Sequence, residues 1–299
     1  MGLEVLADKG ERKGSGMIID KERAQQAFRG YVSHYDLKKD MIRLKAEHTG
    51  RVSLLCQEIA RSLELPEEDV DLAWLIGLLH DVGRFEQQKR YGTFNDAVSI
   101  DHAKYGARLL FGKVYEGQEG GEEEPKECLK MQEPLTLAAS EEEHSVNIRD
   151  FLKDDSQDRL IWTAVFYHSS YRIPVDLDER TAMFCNIIRD ADKIDILRVN
   201  MEFPLEQIYN VSTKELYNCQ VSEEVMECFF EEHAVLRSLR KTVADHIVGH
   251  ISLVFELVYP LSREIVKKQG YLDRMVNFRS DNPVTRQQFA QIRKRMDAR

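Results

Sequence analysis

Long apolar runs are missing from this chain. No stretch of about 20 consecutive apolar residues occurs, which argues against a membrane-spanning helix. Close cysteine pairs are missing as well. The five cysteines, Cys56, Cys128, Cys185, Cys219 and Cys228, are scattered, and none stands in a C-x-x-C arrangement. A chain of 299 residues needs no disulfide stapling, so reduced thiols are expected, with Cys56 and Cys185 serving as small hydrophobes in helical patterns. An excess of positive charge is also lacking. Lys and Arg total 42 against 52 Asp and Glu, a formal charge of -10, which argues against a general nucleic-acid or anionic-membrane surface. A small basic pocket for a phosphorylated metabolite remains compatible with that balance. The opening stretch MGLEVLADKGERKGSGMIIDKERA has no apolar core of a secretory signal, so a cytoplasmic location is expected.

What is present is helical periodicity. Ile42, Val52, Leu55, Ile59 and Leu63 mark one face of a long helix between Lys38 and Leu63. Pro66 and the acids Glu67, Glu68 and Asp69 suit the start of a second helix, which carries Val70, Ala73, Trp74, Gly77 and Leu78. Ser99 is expected to cap a helix holding His102, Tyr105 and Leu109, and Ser156 one holding Leu160, Ile161, Ala164 and Val165. A helix over about 179–199 places Met183, Phe184, Ile187, Ile188, Ala191 and Ile194 inward. Ser222 is a candidate cap further on, and TVADHIVGHISLVFELVY reads as one helix ended by Pro260. No βαβ signature or internal repeat is visible. The expected fold is all-α, with a disordered segment at 1–16, a helical domain over 17–200 and a C-terminal helical extension over 201–299 on the same core. The stretch at about 112–158 is rich in Glu and Gly and reads as an acidic insertion, either a lid or a solvated excursion.

The chemistry begins at GLLHDVGRF, residues 77–85, where an apolar run ends in an adjacent imidazole and carboxylate. Groups that resist burial need a partner there, often a metal. His48, His80, Asp81, His102, His168 and Asp192 lie at the ends or on the inner faces of separate expected helices. Divalent manganese, iron, nickel or cobalt accept such a mixture of nitrogen and oxygen donors, so one or two ions are expected. Two ions clamp a phosphoryl group and activate water between them.

The ordered motifs resemble the HD-domain metal-dependent phosphohydrolase superfamily. EHTGRV at 47–52 is similar to its first-histidine helix, LLHDVGRF to its doublet motif and IIRDADKIDIL to its late aspartate segment. DHAKYGARLL and FYHSSYRIP are similar to the segments that supply two further histidines in two-metal members. The resemblance covers roughly residues 35–200 and implies an HD-type helical bundle. It implies that His48, His80, Asp81, His102, His168 and Asp192 are divided between two ions, with Asp81 bridging. The residues after the doublet, Val82-Gly83-Arg84, and after His168, Ser-Ser-Tyr, differ from the cyclic-di-GMP phosphodiesterase branch and argue against that substrate.

The expected activity is hydrolysis of a phosphoester in a nucleotide or small phosphorylated metabolite, with Asp81, Arg84 and Lys193 as catalytic residues. Arg84 is expected to orient phosphate, the competing use being an ion pair with Glu86 or another local acid. Lys193 either binds substrate or pairs with Asp190. Arg51 is a further pocket candidate, Asp101 a helix starter, and Asp190 and Asp195 are surface acids or supports for the ligands. His246 and His250 share a helix face without a third ligand. Two other readings stay open: a di-iron HD-type oxygenase and a non-catalytic sensor or assembly module. The basic C-terminal tail suits a solvated face or a contact in a homo-oligomer.

Overall fold

A computed structural model describes residues 19–115 and 146–298. The segment expected to be disordered and most of the acidic insertion, with Cys128 and His144, lie outside the described residues. Among the described residues there are helices and no strands. None of these helices is long and apolar enough to cross a membrane.

The first eight helices build the frame of the site. They are α1 (Lys21–Val32), α2 (Asp40–Ser62), α3 (Glu67–Leu79), α4 (Val82–Tyr91), α5 (His102–Phe111), α6 (Ile148–Phe151), α7 (Asp158–Tyr167) and α8 (Glu179–Glu202). Helix α3 is the axis. Every residue from Leu72 to Leu79 is buried, so it has no polar face to offer water and must be surrounded. Helices α1, α2, α7 and α8 enclose it. Helix α2 comes close because Gly77 leaves room; a Cβ there would stand 2.6 Å from Ser53 Cα. Helix α8 buries Phe184, Ile187, Ile188, Ala191 and Ile194 as its periodicity predicts, while Met183, expected inward with them, is half-buried.

Two caps differ from expectation. Asp101, not Ser99, caps α5, accepting from the backbone N–H groups of Ala103 and Lys104. A carboxylate adds charge at the helix's positive end, and Ser99 is instead engaged by Gln87 Nε2 at 2.8 Å. At α7, Gln157 occupies the cap position without a side-chain bond, while Ser156 turns to Asp154. Val146, Ile148, Phe151 and Leu152 are all buried, so the last part of the expected insertion belongs to the core.

The C-terminal extension contains α9 (Leu205–Tyr209), α10 (Thr213–Asn218), α11 (Glu223–Phe230), α12 (Val243–Ile251), α13 (Pro260–Gln269), α14 (Tyr271–Val276) and α15 (Pro283–Asp297). Helices α12, α13 and α14 pack on α8, and their buried apolar residues join the same core. The long helix expected before Pro260 is broken. Helix α12 stops at Ile251, a 3-10 turn covers Ser252–Glu256, and Asp190 accepts the backbone N–H groups of Val258 and Tyr259. Pro260 begins α13 rather than merely ending its predecessor, as suits a residue with no N–H to give. Ser222 stands at the start of α11, but its hydroxyl donates to Asp245 instead of capping.

Candidate metal centre

Three helices and two connections deliver the six expected ligands. His48 lies in the middle of α2, and Asp192 in the middle of α8. His80 and Asp81 fill the two-residue joint between α3 and α4, His102 opens α5, and His168 follows the last residue of α7. The helix crossing of α4 and α5 depends on Gly83, where a Cβ would meet His102 O and stand 2.9 Å from Gly106 N. That close approach brings His102 beside Asp81. The six meet: three overlapping groups, His48-His80-Asp81, His80-His168-Asp192 and Asp81-His102-His168, each have ligand atoms within 4.8 Å of one another.

Asp81 lies between two sets. Its Oδ2 is 3.5 Å from both His48 Nε2 and His80 Nε2. Its Oδ1 is 3.3 Å from His102 Nε2 and 3.8 Å from His168 Nε2. Asp192 joins the first set, with Oδ1 3.1 Å from His48 Nε2 and 3.9 Å from His80 Nε2. Five of the six are essentially inaccessible, whereas the Asp192 side chain is 16% exposed. Solvent therefore approaches from the side of Asp192.

Each imidazole is aimed by a bond at its far nitrogen. His80 Nδ1–H donates to Gly77 O at 2.8 Å, and His168 Nδ1–H to Val165 O at 2.7 Å. A carbonyl only accepts, so in both rings the proton sits on Nδ1. His48 Nδ1–H donates to Asp195 Oδ2 at 2.7 Å, and His102 Nδ1–H to Asp96 at 2.9 Å. The neutral form of all four rings therefore turns a bare Nε2 lone pair inward, the arrangement by which outer partners prepare histidine for a metal. Arg189 steadies the segment that carries His168 by donating to the carbonyls of Tyr167, Ser170 and Tyr171, which closes the end of α7.

The charges favour the ligand forms of His80, His102, Asp81 and Asp192, but not of His48. Burial lowers the pKa of His80 to about 3, against the pull of Asp81. Burial and then Arg84 lower His102 to about 4, despite Asp96. His48 moves the other way. Burial and Lys45 oppose its protonation, but the carboxylates of Asp192 and Asp195 outweigh them and raise its pKa. Burial alone would raise Asp81, yet Lys45 and His80 hold it well below the usual carboxylate range. Asp192 is lowered in the same way, burial being outweighed by His48.

The donor set fits a metal. His48 Nε2 and His80 Nε2 are buried without a hydrogen-bond partner, an arrangement that is costly unless something else satisfies them. His102 Nε2 and His168 Nε2 face each other at 3.1 Å, and with both protons on Nδ1 their lone pairs repel unless a cation stands near. Imidazole nitrogens mixed with carboxylate oxygens suit divalent transition metals.

The other expected residues are used differently. Arg84 does not pair with Glu86, which is bound by Tyr35 Oη at 2.6 Å and Arg90 Nε at 2.8 Å. Arg84 Nη1 donates to Asp96, Gln87 and Phe94 O, while its Nε lies 3.6 Å from Asp81 Oδ1, buried and without a hydrogen bond. Lys193 reaches Glu256 O at 3.3 Å and Asp190 at 4.0 Å, and so ties α8 to the C-terminal extension; neither partner belongs to the six. Arg51 grips Asp195 with two N–H groups, at 2.7 and 2.9 Å, and supports His48 indirectly. His246 and His250 stack on Tyr209, and His250 Nδ1 lies 2.9 Å from its hydroxyl, so this pair forms a separate packed cluster.

Sequence reasoning missed Lys45 and Asp96. Lys45 Nζ donates to Asp81 Oδ2 at 2.8 Å and lies over the Phe94 ring. Its spacing of three from His48 on one helix face was the available signal. Asp96 gathers His102, Arg84, Gln87 and Arg237 from a loop whose sequence, FNDAVS, advertises only a turn.

Residues 46–123 match the family model described as HD domain. The match includes His48, His80, Asp81 and His102, while His168 and Asp192 lie beyond it. No curated protein matches the chain, and no solved structure does. The family match and the geometry agree: residues 46–123 match an HD domain, and the buried His/Asp cluster that could hold a metal ion is built on that match.

Proposed function

We propose that this protein hydrolyses a phosphoester of a nucleotide or small phosphorylated metabolite, using two divalent ions bridged by Asp81. The observation that carries the reading is the division at Asp81, whose Oδ2 faces His48 and His80 while Oδ1 faces His102 and His168. Asp192 completes the first set from α8. Ions held there supply Lewis acidity to phosphoryl oxygens and lower the pKa of an attacking water.

The chain's own residues account for the rest. Lys45 and Arg84 flank Asp81 on its two oxygens, and two cations beside that carboxylate support the reading of an anionic substrate. Arg84 Nε has an unused N–H to give, and guanidinium geometry suits phosphate. Lys45 is a flexible point charge on Asp81 that would be free to reach a substrate phosphate if a bound metal neutralised that carboxylate. Burial of the imidazoles keeps competing water away from all but the Asp192 side. These cations favour an anionic phosphorus group over a neutral diol. Free Cys56 and Cys185, both buried, suit the reducing cytoplasm.

The test is a product-release screen, following inorganic phosphate from nucleoside monophosphates and small phosphorylated metabolites and the monoester product from cyclic nucleotides and dinucleotides. The protein is stripped with chelator and reloaded with manganese, iron, nickel or cobalt. Release with at least one metal, absent in the stripped protein and in Asp81→Ala, is expected. Oxygen uptake on a diol or phosphonate without phosphatase activity would replace this reading.

A further inference from the structure

The C-terminal extension reaches the metal centre through one ion pair. Arg237 Nη1 donates to Asp96 Oδ2 at 2.7 Å, joining residues 141 positions apart. Asp96 is the acceptor that aims His102, its two oxygens both lying 2.9 Å from His102 Nδ1. Arg84 and Gln87 occupy Oδ1, at 2.8 and 2.9 Å. Oδ2 therefore has Arg237 as its counterweight, among the described residues. Remove that cation and the carboxylate is free to turn towards Arg84 and Gln87, taking the acceptor away from the His102 N–H.

Arg237 is 58% exposed along its side chain, yet it stands on a fixed base. Arg240 is half-buried and packs against Gly249, where a Cβ would stand 2.6 Å from its guanidinium carbon, and it donates to Val235 O at 2.7 Å. Val235 N–H donates to Ser252 Oγ at 2.9 Å, and Ala234 N–H to Glu256 at 3.3 Å. The backbone carbonyl of Glu256 accepts from Lys193 on α8. The loop that presents Arg237 is thus braced on the helix that carries Asp192.

We propose that Arg237 is a positioning residue for the ion held by Asp81, His102 and His168, acting through Asp96. The extension is then part of the metal centre and sets the affinity of one of its two ions. This inference rests on the two-ion reading above, and its test does not need turnover. Direct outer partners of metal-bound histidine are worth roughly 10–100-fold in affinity. Arg237 acts one contact further out, so Arg237→Ala is expected to weaken one manganese(II) site about three- to tenfold and leave the other unchanged.

The experiment is calorimetric titration of the stripped full chain with manganese(II), with thermal unfolding alongside to confirm that each variant is folded. Arg237→Lys is expected to recover part of the loss. In an Asp96→Asn background, Arg237→Ala is expected to add nothing, because the carboxylate through which it acts is already gone. Unchanged binding of both ions in Arg237→Ala would overturn the inference alone, as would an equal loss at both sites or a full additional loss in the Asp96→Asn background. A parent protein that binds one ion or none would overturn the two-ion reading together with it.

Discussion

A histidine that binds metal through Nε2 must have its proton placed elsewhere, and this chain solves that problem separately for each ring. Gly77 and Val165 offer backbone carbonyls, and Asp195 and Asp96 offer carboxylates. The carboxylate cases are open to mutation. Asp195→Ala leaves the His48 N–H without its acceptor and Arg51 without its partner, so metal affinity at the His48 set should fall by roughly 10–100-fold. Asp195→Asn, whose amide oxygen still accepts, should lose less. Metal titration of the two variants checks this, and equal affinity in both and in the parent would show that Asp195 does not aim the ring. The sequence left Asp195 open beside Asp192 and Asp190. Its carboxylate lies on the His48 side, whereas Asp190 holds the extension, a distinction that only the packing of α2 and α13 against α8 supplies. Arg84 was readable as a neighbour of Asp81, but its grip on Asp96 depends on how the 92–100 loop folds back.

At the scale of elements, two glycines decide whether the ligands meet. Gly77 lets α2 approach α3, and Gly83 lets α4 cross α5. Gly83→Ala would drive a methyl group into His102 O and to within 2.9 Å of Gly106 N, and backbone cannot yield as a flexible side chain does. The expected cost is about 3 kcal/mol or more, at the upper end of overpacking, with loss of the ion at His102 before that at His48. Denaturant unfolding and metal content measure the two effects; parental stability would contradict the close crossing. Helix positions were readable because α2, α3, α7 and α8 carry long apolar patterns. Their starts were less so, since Ser99 and Ser156 have the chemistry of a cap while Asp101 has both chemistry and charge. The break after Ile251 was hidden because the apolar run continues through it, and the interruption comes from Asp190 pulling on Val258 and Tyr259.

For the whole molecule, buried histidines should set the acid limit. The lowered pKa values of His80, about 3, and His102, about 4, mean that the unfolded chain takes up protons below about 6.5 which the folded chain refuses. His250 is lowered in the same direction by its burial. Their contribution is therefore full above pH 6.5 and is lost as pH falls towards 4. His48 opposes them, since its raised value favours folding at the acid side of its own titration. Four lowered histidines, His246 among them, against one raised predict that the stripped protein loses stability to denaturant between pH 7 and pH 5. A rise in stability over that interval would contradict the burial assigned to these rings. The C-terminal extension takes part at this scale too, because α12, α13 and α14 pack on α8 and Arg237 touches Asp96. Nothing in its sequence announced that contact, which joins loops 141 positions apart.

The most direct measurement is the number of transition-metal ions carried per chain by the purified protein and by Asp81→Ala, by elemental analysis. Two ions in the parent and nearly none in the folded variant are predicted, because one carboxylate faces both sets of imidazoles. The same metal content in both proteins would contradict the bridging role on which the account rests.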